Sequence, residues 1–254
     1  MQIPAGKKIY FLSDFHLGAP DYRSSLQREK RVVQFLDEIK KDAEVIFILG
    51  DLFDFWFEYK KVVPKGFVRI LGKLAELTDS GITIHFFVGN HDMWMNGYFE
   101  SELNIQVYDE PREFEFNGKK FLIGHGDGLG PGDHTYKFMK KVFRNQFSQR
   151  LFGMLHPSTG IGIADYFSRK SRAAAGIKDE QFLGEEKEWL IVFAKEILQM
   201  QHIDFFIFGH RHLPIEHQLS DKSVYINLGD WIKYNSYAMF EDGKVNLKYY
   251  GNEK

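Results

Sequence analysis

Five short runs of β-branched and aromatic residues each end abruptly in a cluster of Asp, His, Asn and Gly, and this recurrence constrains the fold more than any other feature. The runs at 8–13, 45–49, 82–88, 119–123 and 204–208 lead into Asp14-Phe15-His16, Gly50-Asp51-Leu52-Phe53-Asp54, Gly89-Asn90-His91-Asp92, Gly124-His125-Gly126-Asp127 and Gly209-His210-Arg211-His212. A sixth run, 223–228, leads into Gly229-Asp230-Trp231. Each has the length and residue types of a buried strand. Helical periodicity separates the early ones. The stretch 26–41 gathers Val32, Val33, Phe35, Leu36 and Ile39 on one face, and 67–78 does the same with Val68, Leu71, Leu74 and Leu77. Alternating strands and helices predict parallel pairing through crossovers. Ligands of such sheets gather beyond the carboxyl ends of the strands, which is where the polar clusters fall.

At 254 residues the chain fits one large domain, 1–254. A net charge of -2 gives no global reason to expect nucleic acid as a partner. The absence of Cys excludes disulfides and thiolate metal sites and suits a reducing compartment. The first residues, Met-Gln-Ile-Pro-Ala-Gly-Lys-Lys, lack the apolar stretch of a signal peptide, and no run approaches the length of a membrane span. A cytoplasmic protein without a spanning helix is expected. The 25 Phe exceed the obvious needs of a core, so some are expected to cover an apolar ligand or a membrane surface.

Between about 130 and 186 the strand signal disappears. A basic and aromatic helical stretch at 135–152 carries Phe138, Met139, Val142, Phe143, Phe147 and Leu151, flanked by Lys137, Lys140, Lys141, Arg144 and Arg150. A turn rich in Gly, Pro and Ser is predicted at 156–162, then a helix at 164–175. This segment reads either as helices packed on the main domain or as a helical cap over the site.

Imidazole and carboxylate donors without thiols suit Mn²⁺, Fe²⁺ or Zn²⁺. Two such ions about 3.5–4 Å apart share a carboxylate and clamp a phosphoryl group. Asp51, at the end of a central strand, is the expected bridge, with one oxygen facing each ion.

The order of these motifs resembles that of the calcineurin-like metallophosphoesterase superfamily, from Asp14 to His212. The resemblance implies an α/β fold, a sandwich of two β-sheets flanked by helices, here with a helical cap insertion at about 130–186. It also implies two divalent metal ions, most simply Mn²⁺ in a chain with only oxygen and nitrogen donors. Asp14, His16, Asp51 and His212 would hold one, and Asp51, Asn90, His125 and His210 the other. His91 would lie beside the scissile phosphate, oriented by Asp92. Asp54 would support a ligand or cap the following loop, and Asp127 would support a ligand beside His125. His85, His134, His156, His202 and His217 fall outside the motifs and are read as non-ligands.

Asp-Phe-His-Leu-Gly at 14–18, Gly-Asp-Leu-Phe-Asp-Phe-Trp at 50–56 and Asn-Leu-Gly-Asp-Trp at 227–231 narrow the resemblance. They are similar to the UDP-2,3-diacylglucosamine pyrophosphatases of lipid A synthesis, which release UMP and an acylated sugar 1-phosphate. That likeness implies sugar and phosphate contacts from Asp133, Tyr136, Arg169, Ser171 and Arg172, and an acyl groove lined by the cap. It also implies peripheral contact with the cytoplasmic face of the inner membrane. One departure stands out: members of that branch carry Arg where this chain has His91. A soluble phosphodiester, nucleotide or phosphoprotein is the alternative substrate, and a non-catalytic binding protein for acylated sugars the alternative of another class.

Overall fold

Strand β1 (Lys8–Leu12) alternates two apolar faces, and that alternation builds the core layer by layer. In the computed structural model, which describes residues 1–131, 134–175 and 181–251 and leaves out the side chains of 134–136, 169 and 171–175, Ile9 and Phe11 point one way and Tyr10 and Leu12 the other. The elements that follow are α1 (Tyr22–Ile39), β2 (Ala43–Ile48), α2 (Val68–Asp79), β3 (Thr83–Phe87), α3 (Tyr98–Leu103), β4 (Gln106–Tyr108), β5 (Arg112–Phe116) and β6 (Lys119–Gly124). Three helices come next, α4 (His134–Arg144), α5 (Gln146–Gly153) and α6 (Pro157–Ala175). The chain closes with α7 (Trp189–Leu198), β7 (Phe205–Phe208), β8 (Pro214–Ser220), β9 (Ser223–Leu228), β10 (Ser236–Glu241) and β11 (Lys244–Tyr249).

Two mixed sheets result, ordered β11-β10-β1-β2-β3-β4 and β5-β6-β7-β9-β8. The predicted strands form their parallel centres: β1 with β2, β2 with β3, β6 with β7 and β7 with β9. Between the sheets lie Ile9, Phe11, Phe47, Phe121, Ile207 and Ile226, all fully buried, with Phe11 stacked on Phe47 at 5.3 Å and on Phe121 at 6.1 Å. The opposite face of the first sheet packs Leu12, Ile46 and Ile48 against Val32 and Phe35 of α1 and Leu74 of α2. The opposite face of the second packs Phe206, Phe208 and Tyr225 against Leu190, Ile191 and Ala194 of α7. Helix, sheet, sheet, helix is the layering. Most of the Phe excess goes into this core: Phe residues such as Phe11, Phe47, Phe86, Phe121 and Phe206 are fully buried, whereas Phe138, Phe143, Phe147 and Phe167 stand exposed on α4–α6. The core thus takes more of the Phe than expected, and the exposed remainder gathers on α4–α6.

Two local expectations differ. The stretch 135–152 divides at Asn145, whose side chain accepts the Phe147 N–H at 2.8 Å and caps α5. The segment read as a turn, 156–162, is the first part of α6. Pro157 takes the first helical position, where its missing N–H costs nothing, and Gly160 lets the helix approach the Tyr59 hydroxyl and the Phe152 ring, which a Cβ would meet at 3.2 Å or closer. These helices are pinned to the sandwich. Trp94 Nε1 donates to the Phe143 carbonyl at 2.7 Å, and its ring lies 4.7 Å from that of Phe152. Arg144 donates to Glu110 Oε1 and to the Asp109 carbonyl, each at 2.8 Å.

Candidate metal centre

Register delivers the motifs to one place. Pairing of Leu12 with Ile48 continues past the strands as Asp14 N–H to Gly50 carbonyl at 3.2 Å and His16 N–H to Asp51 carbonyl at 2.9 Å. In the second sheet, pairing of Gly124 with Phe208 continues as Gly209 N–H to His125 carbonyl at 2.9 Å. The carboxyl ends of β1, β2 and β3 thus face those of β6 and β7 across the top of the sandwich.

The chain turns sharply at these ends, and it does so through strained residues. Asp14, His16, Asp51, His210 and His212 all adopt left-handed backbone, with φ of 56°, 45°, 52°, 66° and 49°. Such a conformation is unfavourable for residues with a Cβ and gathers at functional sites, where the surroundings enforce it. Glycine makes room beside them: a Cβ on Gly89 would fall inside Asp51 Oδ1, and one on Gly209 would collide with Ser13 Oγ and Asp14 Oδ2.

Two donor sets meet. In the first, His212 Nε2 lies 3.1 Å from Asp14 Oδ1 and 3.1 Å from His16 Nε2, which is itself 3.7 Å from both Asp14 Oδ1 and Asp51 Oδ2. In the second, Asn90 Oδ1 lies 3.1 Å from His125 Nε2 and 2.8 Å from His210 Nδ1, with His125 Nε2 3.5 Å from Asp51 Oδ2. The same Asp51 oxygen therefore faces both sets. This differs from the expectation of one oxygen per ion, because Asp51 Oδ1 is engaged by the His91 N–H at 2.8 Å.

The imidazoles are turned by their other nitrogens. His125 Nδ1 donates to the Leu49 carbonyl at 2.6 Å. His16 Nδ1 faces Asp54 Oδ1 at 3.6 Å, and His212 Nδ1 faces Asp230 Oδ2 at 3.9 Å. The bond to Leu49 puts the His125 proton on Nδ1, so its Nε2 presents a lone pair inward, and the same tautomer of His16 and His212 would do likewise. Lone pairs of neutral imidazoles and carboxylate oxygens then confront one another at close range, an arrangement that a cation relieves. Donor atoms about 2.0–2.2 Å from one ion lie some 3–3.5 Å apart, close to the 2.8–3.7 Å seen here. Asp14 Oδ1 and Asp51 Oδ2 are also buried oxygens that accept no hydrogen bond from the described residues.

Charge follows the same logic. Burial alone would raise the Asp14 and Asp51 carboxyls, but His212 and His16 beside the first, and His125, His91 and His16 beside the second, hold both below the ordinary carboxylate range. Burial pushes His91 and His210 down to about 4. His125 goes the other way: against burial, which would lower it, the Asp51 and Asp14 carboxylates raise it, so an ion binding at this ring would displace a proton.

Two roles read from the sequence change. Asp92 does not orient the His91 ring. It is fully buried beneath the Asp51 loop, accepting N–H groups of Gly89 at 2.8 Å, Asp51 at 3.2 Å, Leu52 at 2.8 Å and Phe53 at 3.4 Å. Burial and the neighbouring Asp51 charge push its pKa up to about 7. His91 is instead held at Nδ1 by the Asp54 carbonyl at 3.0 Å and by Ser168 Oγ at 3.1 Å. His125 is oriented by the Leu49 carbonyl, whereas Asp127 Oδ2 pairs with Lys140 of α4 at 2.7 Å.

Sequence reasoning missed Ser168 as a support. Ser168 belongs to the basic segment on α6, and it reaches 114 residues back to donate to Asp54 Oδ2 at 2.8 Å. Asp133 lies outside the described residues, as do the side chains of Tyr136, Arg169, Ser171 and Arg172.

The family model for calcineurin-like phosphoesterases matches residues 7–214. The chain belongs to that family. As a phosphoesterase it is a metal-dependent hydrolase, and its clustered His and Asp side chains form a divalent-metal site. A UDP-2,3-diacylglucosamine hydrolase of Porphyromonas gingivalis is 41% identical to this phosphoesterase over 253 residues, covering 95% of this chain and 97% of that protein. A protein of the same name from Histophilus somni is 30% identical, covering 89% and 92%. Another, from a Shewanella strain, is 29% identical, covering 95% and 96%.

Proposed function

We propose that this phosphoesterase hydrolyses the pyrophosphate of UDP-2,3-diacylglucosamine to UMP and 2,3-diacylglucosamine 1-phosphate. The observation that carries the chemistry is Asp51 Oδ2, set 3.7 Å from His16 Nε2 and 3.5 Å from His125 Nε2 between two complete donor sets. Two cations fit: Asp14, His16, Asp51 and His212 would hold one and Asp51, Asn90, His125 and His210 the other, with Mn²⁺ suited to these oxygen and nitrogen donors. When bound, such a pair clamps phosphoryl oxygens and lowers the pKa of a water.

The chain's own residues do the rest. His91, held at Nδ1 by the Asp54 carbonyl and Ser168, would meet a phosphoryl oxygen as the imidazolium, the charged form that a bound phosphate anion favours and the only one in which both ring nitrogens donate; it stands where the resembled branch carries Arg. Asp92 fixes the backbone from which Asp51 and His91 project. Hydrolysis at the α-phosphorus breaks the bond to the bridging oxygen, which leaves with the acylated sugar phosphate.

Substrate choice is supported by the relatives and by the surface of α4–α6, where Phe138, Met139, Phe147 and Leu151 stand exposed among Lys and Arg. Acyl chains fit such a surface, with Asp133, Tyr136, Arg169, Ser171 and Arg172 as contacts to sugar and phosphate. No helix among the described residues is long and apolar enough to cross a membrane, and the basic, apolar helices suit peripheral contact with anionic inner-membrane lipid on the cytoplasmic side.

The test is UMP release from UDP-2,3-diacylglucosamine with and without Mn²⁺, run beside bis-p-nitrophenyl phosphate. Mn²⁺-dependent UMP release is expected, and turnover of the artificial diester alone would sink the lipid assignment.

A further inference from the structure

The loop that presents His210 and His212 carries a third side chain that turns away from the centre. Arg211 Nε donates to Glu188 Oε2 at 3.1 Å, and its Nη2 donates to Glu188 Oε1 at 3.3 Å and to the Gln181 carbonyl at 2.7 Å. Glu188 is 3% exposed and stands at the N-terminal cap of α7, where its Oε1 also accepts the Leu183 N–H at 3.0 Å. Planar two-point pairing of this kind fixes orientation as well as position. It is applied at the middle of a turn whose flanking residues, His210 and His212, are both left-handed and whose backbone doubles back from Arg211 N–H to the Gly209 carbonyl at 2.8 Å. Nothing in metal chemistry requires an arginine between the two histidines, and its guanidinium reaches into the segment that links α6 to α7.

We infer that the Arg211–Glu188 pair is a brace that sets the ligand geometry of His210 and His212, making both positioning residues for the metal centre. His210 and His212 serve different donor sets, so a loop released from Glu188 loosens both at once. Supports that orient ligands in this way typically change metal affinity by about 10–100-fold when removed. The inference rests on the metal reading above but not on the substrate.

The experiment measures Mn²⁺ binding by calorimetry, the electron paramagnetic resonance spectrum of the bound Mn²⁺, and turnover of bis-p-nitrophenyl phosphate. The variants are Arg211→Lys and the paired Arg211→Met/Glu188→Leu, which replaces the ion pair with apolar groups and leaves no charge buried alone. Expected is Mn²⁺ affinity about 10–100-fold weaker in the double variant, an altered spectrum, lower kcat and an unchanged melting temperature in EDTA. Arg211→Lys keeps the charge without the planar fork and is expected to restore only part of the affinity. Wild-type affinity and spectrum in the folded double variant would overturn the brace. If the double variant does not fold, Arg211→Lys decides, and wild-type binding there overturns it equally. Failure of the wild-type chain to bind Mn²⁺ would instead remove the metal reading itself.

Discussion

Asp51 is the residue on which the site turns, and its surroundings explain why so little can change there. Its backbone is left-handed, its Oδ1 is taken by the His91 N–H, and its N–H is held by Asp92. Only Oδ2 remains to serve both donor sets. Asp51→Ala should therefore abolish turnover of any phosphodiester and Mn²⁺ binding together, whereas Asp92→Ala, which removes the acceptor beneath the loop, should weaken Mn²⁺ binding by about 10–100-fold. Metal content and kcat of the two variants check this, and retained turnover in Asp51→Ala would remove the bridging role. The place of Asp51 between two donor sets was legible in sequence because five motifs agree in order and strand context. The job of Asp92 was not, since adjacency in the chain suggested a partner for His91 while the turn sends the carboxylate to the opposite side.

Among the elements, the central parallel strands were readable because they are buried on both faces and spell continuous apolar runs. The strands β5, β8 and β11 were not. Their burial alternates between polar and apolar positions, and their pairing is antiparallel, so their pattern blends with that of loops. The start of α6 was misread for a different reason: Pro157 and Gly160 carry a breaker signal whose meaning depends on helix position and on the approach to Phe152. Strand β3 supplies a titration test. His85 stacks on Phe47 at 4.8 Å, meets the Tyr108 hydroxyl at 3.2 Å, and is pushed down to about 4 by burial. Its folded pKa lies below its unfolded value near 6.5. The neutral ring therefore contributes stability that is complete above pH 6.5 and is lost as pH falls toward 4. Urea unfolding of His85→Phe should show a shallower loss of stability than wild type across that window. Parallel pH dependences would refute it.

At the scale of the whole molecule, the two sheets contribute to one centre, Asp14, His16, Asp51 and Asn90 from one and His125, His210 and His212 from the other. A bound ion then crosslinks the halves of the sandwich, and binding free energy becomes folding free energy. At 100 times its Kd an ion adds about 2.7 kcal/mol, which for a chain of this size raises the melting temperature by about 5–10 °C. Calorimetric scans in EDTA and in excess Mn²⁺ should differ by at least that much; coincident scans would argue against occupancy of the site. The sandwich and its metal end were visible in the sequence. The ties between α4–α6 and the centre, Ser168 to Asp54 and Lys140 to Asp127, were not, because they depend on where a distant helix lands.

One of those attachments has an optical consequence. Trp56 and Trp231 are sealed in the core, and Trp189 lies 46% exposed at the start of α7. Trp94 alone among the four spans the junction, two residues past Asp92, with its indole N–H on the Phe143 carbonyl and its ring against Phe152. A chain that retained only this tryptophan would carry a native fluorophore whose emission colour reports whether α4 and α5 stay docked on the sandwich, without an attached dye.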